Sequence, residues 1–118
     1  MLAMLSVATV AATLSLPAGA HAYLERAQPA AGSTVRESPR ELTLWFTQKI
    51  EPAFSEVRVL DPAGKQVDAG APRFDSGGAR ALRISLPKLA AGTYRVKWRI
   101  LSVDTHVSEG EFTFDVAP

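Results

Sequence analysis

The stretch Thr93–Leu101 limits what this chain can fold into more than any other. Tyr94, Val96, Trp98 and Ile100 alternate without a break with Arg95, Lys97 and Arg99. A period of two belongs to a strand with one face buried and the other in water. Four further segments repeat it. Leu42, Leu44 and Phe46 share a face in Glu41–Phe46, and Val57 and Val59 in Glu56–Leu60. Leu82, Ile84 and Leu86 do so in Ala81–Leu86, and Phe112, Phe114 and Val116 in Glu111–Val116. A shorter first strand is expected around Tyr23–Gln28.

The connections carry turn chemistry. In Asp61-Pro62-Ala63-Gly64 the proline presets φ and the glycine accepts a positive φ after it. Ser76-Gly77-Gly78 ends a polar loop, Ala91-Gly92 opens the long strand, and Pro29-Ala30-Ala31-Gly32 and Ser38-Pro39 punctuate the earlier part. Beyond residue 20 no segment keeps a helical period, and there is no internal repeat. The expected fold is therefore all-β: a small antiparallel Greek-key β-sandwich or barrel of about seven strands, immunoglobulin-like. Its core would rest on Trp98, Phe112, Phe114, Leu44 and Phe46. The chain has no cysteine, so the disulfide of many immunoglobulin domains is excluded, as are thiolate metal sites and a cysteine nucleophile.

The first twenty residues read differently. They carry no charge, so all 13 Lys and Arg and all 12 Asp and Glu lie beyond them. The apolar run Met1–Leu16 falls short of the roughly 20 residues of a spanning helix, and Pro17 breaks it. Ala18-Gly19-Ala20 then offers the small residues of a signal-peptidase site. Residues 1–20 are expected to be a secretory signal peptide and 21–118 one mature domain, although no Lys or Arg precedes the apolar run. The alternatives are an uncleaved membrane anchor or a buried helix. A net charge of +1 gives no electrostatic case for nucleic acid or an anionic membrane.

Cleavage after Ala20 makes His21 the first residue of the mature protein. A terminal histidine offers an amine and an imidazole nitrogen that can close a chelate ring on a metal. Ala20-His21-Ala22 is itself a small-x-small site, and cleavage after Ala22 would remove the histidine. The other histidine, His106, follows Asp104 by two residues in Ser102-Val103-Asp104-Thr105-His106. In an extended chain, residues two apart point to one side, so Asp104 and His106 can face one point. With His21 the donors are nitrogen and oxygen without sulfur, a set that suits Cu(II). Each feature also has a plainer reading: Asp104 as a turn residue bonding its own backbone, His106 as a solvated loop histidine, His21 as an ordinary terminus.

The mature sequence resembles the CopC/PcoC-type periplasmic copper-binding proteins. The resemblance rests on His21-Ala-Tyr-Leu-Glu-Arg-Ala-Gln-Pro29-Ala-Ala-Gly32, Leu42-Thr-Leu-Trp-Phe46-Thr, Leu89-Ala-Ala-Gly-Thr-Tyr-Arg-Val-Lys-Trp98 and Val103-Asp-Thr-His106-Val-Ser-Glu-Gly110-Glu-Phe-Thr-Phe114. These stretches fall in order along essentially the whole mature chain. The resemblance implies one Cu(II) ion per chain held by His21 (amine and imidazole), Asp104 and His106. It implies a periplasmic carrier or buffer in copper homeostasis or resistance, not an enzyme. It also implies a membrane copper-transport partner of the CopD type, expected as a separate protein because no spanning segment follows the domain. A monomer is expected.

Two departures matter. Some members bind Cu(I) through a methionine-rich loop, whereas here Met1 and Met4 are the only methionines and leave with the signal. The corresponding region, roughly 65–80, is polar and contains glycine, so no Cu(I) site is expected. An acidic residue often follows the L-x-F-[ST] strand in the family; Gln48 stands there. Glu25 and Glu109 lie near the motifs, but no spacing makes either a ligand. Two other functions remain in view. A histidine-brace copper oxygenase would use His21 and His106, but Asp104 would fill a position oxygen needs. A metal-free secreted adhesion or interaction module becomes the better reading if His21 is not the mature terminus. Hydrolase motifs of the G-x-S-x-G or H-E-x-x-H type are absent.

Overall fold

A computed structural model describes residues 23–75 and 79–118. Eight strands form two four-stranded sheets. In chain order they are β1 (Leu24–Gln28), β2 (Thr34–Val35), β3 (Glu41–Phe46), β4 (Glu56–Leu60), β5 (Ala69–Phe74), β6 (Ala81–Ser85), β7 (Gly92–Leu101) and β8 (Val107–Val116). A single 3-10 turn at Pro52–Phe54 precedes β4. The first sheet runs β1-β3-β6-β5 and the second β2-β8-β7-β4. With the first strand divided between the sheets, this is the strand order of an immunoglobulin-like sandwich. Among the described residues no helix is long and apolar enough to cross a membrane.

The alternating segments are strands, with three corrections. The last begins at Val107 instead of Glu111, which gives β7 and β8 ten paired residues from Gly92↔Val116 to Leu101↔Val107. Polar side chains at the start of β8 had masked it. The region expected to be only a polar loop contains β5, an edge strand with little alternation that pairs with β6 across a register shift. β2 adds an eighth strand of two residues, and it pairs with β8 in parallel, not antiparallel, fashion. The Asp61 turn forms as its chemistry requires. Its carboxylate accepts from the backbone N–H of Ala63 and Lys65, each at 2.9 Å, and Gly64 takes φ 83°.

The core lies between the sheets. Leu42, Leu44, Phe46, Leu82 and Ile84 face it from one side, and Val57, Val59, Tyr94, Val96, Trp98, Ile100 and Phe114 from the other. Phe112 is only partly buried and packs against the core's edge. Without a disulfide, an aromatic contact joins the layers, and a second stiffens the β7–β8 pair. Phe46 of β3 meets Trp98 of β7 edge-on, with centroids 5.3 Å apart. Tyr94 stacks on Phe114 at 5.6 Å, and its hydroxyl donates to the Ala90 carbonyl at 2.7 Å. That bond is the tyrosine corner of immunoglobulin-like folds, here without the cysteine that usually follows.

The sheet edges are guarded. The Asp68 carboxylate accepts from Val59 N–H, and Val67 N–H donates to the Val59 carbonyl, both at 2.8 Å, so the outer side of β4 is covered. On β5, Gly70 takes φ 77° and Pro72 has no N–H to offer.

Trp98 also needs room beside it. It lies opposite Gly110 on β8, and a methyl group on Gly110 would come within 2.6 Å of the indole. Gly110→Ala should therefore destabilise the domain by about 1–3 kcal/mol through overpacking. Urea unfolding checks this, and an unchanged midpoint would show that the indole is not confined by Gly110.

Candidate metal centre

The β7–β8 hairpin ends in Ser102-Val103-Asp104-Thr105-His106, the segment singled out by the sequence. Asp104 and His106 do converge there. His106 Nδ1 lies 3.4 Å from Asp104 Oδ1, and their side chains are 48% and 38% exposed, respectively. The cause is not strand alternation. The segment is a turn, closed by Thr105 N–H to the Ser102 carbonyl and Ser102 N–H to the His106 carbonyl, each at 2.9 Å. Thr105 occupies the left-handed region with φ 71°, unusual for a β-branched residue.

The Ser102 hydroxyl donates to Asp104 Oδ1. This bond is the main reason the Asp104 carboxyl sits below its ordinary pKa. Partial desolvation opposes it, and the His106 side chain and backbone N–H add smaller lowering effects. An exposed carboxylate held in its ionised form beside an imidazole is suited to a divalent cation. The plainer reading of Asp104 as a turn residue is thus partly right, but its main partner is a side chain. Ser102 donates to the carboxylate and accepts from the His106 backbone N–H.

His21 lies outside the described residues. The chain next to it is described. Tyr23 N–H donates to Thr47 Oγ1 at 3.0 Å, and Thr47 N–H returns to the Tyr23 carbonyl at 2.9 Å. Two residues on, the Lys49 carbonyl accepts from Val103 N–H at 3.1 Å. Ile50 bridges to Ser102. Segment 47–50 therefore straps the start of β1 to the loop carrying Asp104 and His106. Half-buried Gln48 sits on this strap. Tyr23, Phe54, Val103 and Val107 are the exposed large apolar side chains among the described residues.

The other candidates have different surroundings. Glu25 is exposed on β1. Glu109 faces Arg99 at 4.0 Å on the outer side of β8. A shallow depression of about 480 Å³ near Trp98 and Gly110 is rimmed by charges such as Glu56, Arg58 and Lys97, and contains no histidine. Among the described residues no three His, Cys, Asp or Glu side chains gather as a metal site. Asp104 and His106 are a pair, short of such a group.

Residues 24–117 match the family model of the CopC domain. Copper resistance protein C of Xanthomonas campestris pv. juglandis is 35% identical over 118 residues, covering 94% of this chain and 92% of that protein. The crystal structure of CopC from Methylosinus trichosporium OB3b superposes with a TM-score of 0.78 at 39% identity, covering 83% of this chain and 95% of that one. PcoC from Escherichia coli, described as a methionine-rich copper resistance protein, gives a TM-score of 0.71 at 31% identity and covers 82% and 99%. By sequence along nearly the whole described domain, and by fold, the chain belongs to the CopC family of copper resistance proteins.

Proposed function

We propose that this protein is a secreted Cu(II) carrier or buffer working in the periplasm in copper homeostasis or resistance. One ion is held by the amine and imidazole of His21, the Asp104 carboxylate and the His106 imidazole. The observation that carries this reading is the convergence of Asp104 and His106 at the end of the sandwich to which Thr47 and Lys49 tie the start of β1. Two residues of extended chain span about 7 Å, the reach a terminal His21 would have from Tyr23 on the side tied to that end. The reading requires removal of residues 1–20 as a signal peptide. Its proposed partner is a membrane copper-transport protein of the CopD type, met by a monomer.

The donor set favours Cu(II) over Cu(I). Imidazole, amine and carboxylate are nitrogen and oxygen ligands, and the mature chain would contain neither Met nor Cys to supply soft sulfur. Asp104 beside His106 also speaks for binding over oxygen activation, since a third protein ligand occupies a position that a substrate oxygen would use.

Native mass spectrometry of the secreted protein with one equivalent of Cu(II) tests the assignment. A mass beginning at His21 and shifted by one copper is expected, and His106→Ala should lose the adduct. A mass beginning at Tyr23, or an unshifted His21 form, overturns it. The acid dependence follows from the ligands. Imidazole and a terminal amine ordinarily protonate near pH 6.5 and about 7.7–8.0, and a protonated ligand cannot bind. Because Asp104 is held ionised, the nitrogen donors set the limit as pH falls. Affinity should fall steeply below about pH 6, and a titration flat from neutral to mildly acidic pH would rule out this ligand set. Reduction with ascorbate should release the metal to a Cu(I) chelator, whereas tight retention would require a sulfur donor the mature chain lacks.

A further inference from the structure

The inward row of β7 does not stop at Ile100. Tyr94, Val96, Trp98 and Ile100 are buried, and the next position in the same phase is Ser102, with 0% exposure. A hydroxyl at the end of an apolar row must find partners, because an unpaired buried polar group is costly. Ser102 finds them in the loop that follows. A hydroxyl has one proton and two lone pairs. Its proton goes to Asp104 Oδ1, the nearer of two acceptors beside the His106 carbonyl at 3.1 Å, and a lone pair takes the His106 N–H at 3.3 Å. The His106 carbonyl is already served by Ser102 N–H at 2.9 Å. One buried side chain thus holds both members of an exposed pair, and does so across a residue in a strained conformation, Thr105.

We propose that Ser102 is the positioning residue of the metal centre: its buried hydroxyl sets Asp104 and His106 in the binding arrangement before the metal arrives. The inference rests on the Cu(II) reading above. Ser102 does not touch the metal. It takes Oδ1 of Asp104, leaves Oδ2 out of that hydrogen bond, and meets the backbone N–H of His106. Backbone bonds at Ser102, Val103 and Thr105 would keep the turn closed without the hydroxyl. The aim of the carboxylate would be lost before the turn itself.

The test compares Ser102→Ala, Asp104→Asn, His106→Ala and the nearby control Ser108→Ala in the secreted protein. Cu(II) affinity is measured by competition, the copper environment by electron paramagnetic resonance, and the fold by circular dichroism. Ser102→Ala should keep the fold, bind Cu(II) about 10–100-fold more weakly, as loss of a ligand-orienting partner does, and give a broadened or altered copper signal. Ser108→Ala should match the parent. If the two ligand variants weaken binding while Ser102→Ala keeps parental affinity and signal, the positioning role is overturned and the metal reading stands. If both ligand variants bind as the parent does, the metal reading falls and the positioning role with it. A second measurement holds even if Ser102→Ala does not fold. Amide order parameters of residues 103–106 in the metal-free parent should match those of β7. Values below about 0.6, the range of a mobile backbone, would overturn the proposal.

Discussion

Everything in this molecule is set by the phase of β7. It is a central strand of its sheet, with β8 on one side and β4 on the other. A slip of one residue would turn Arg95, Lys97 and Arg99 into the core and the tyrosine corner out of it. That cost fixes the register of the longest hairpin. It also brings Trp98 against Phe46 and Gly110, so the two sheets close through packing where related folds use a covalent bond. The same phase decides what happens beyond the strand. Because Ile100 points inward, Ser102 does too, and a polar group arrives at the border of the core. The shape of the exposed loop follows from satisfying that group.

This dependence explains what could be read from the residues alone. β3, β4, β6 and β7 were legible because burial on one face writes itself as alternation. β5 and β2 were not. β5 is an edge strand whose side chains are mostly exposed or half-buried, and β2 is two residues long. Nothing apolar needs to repeat in either. β8 was read only over its apolar half. The pairing of Asp104 with His106 was legible from spacing, but for the wrong reason: an extended chain was assumed where a turn with a left-handed threonine does the work. Ser102 carries no motif of its own, though the period of β7 carried to position 102 marks it as buried. The strap from Tyr23 through Thr47 and Lys49 to Val103 has no signature in the sequence, since it is made largely of backbone groups.

The outer faces carry their own order. On the second sheet, Glu56, Arg99 and Glu109 stand in one row across three strands, and Arg58, Lys97 and Glu111 in the next. Arg58 reaches Glu56 at 3.4 Å. On the first sheet, Arg73 and Arg83 both approach Glu41, and Arg83 also meets Asp75. Exposed pairs of this kind stabilise a domain only slightly. Their effect is to keep both broad faces mixed in charge, while the exposed large apolar side chains among the described residues belong to the residue before β1, the turn before β4, the β7–β8 loop and the first residue of β8.

The positive φ at Gly70 and the missing donor at Pro72 bear on more than the single molecule. β5 has one residue without a backbone donor and a register shift against β6 between Ala69 and Arg73, so it is an irregular strand for another chain to pair with. An all-β domain without disulfides is the kind of protein that grows into fibrils when an edge is left as a template. Here the glycine and the proline make this edge a poor template for a neighbouring strand.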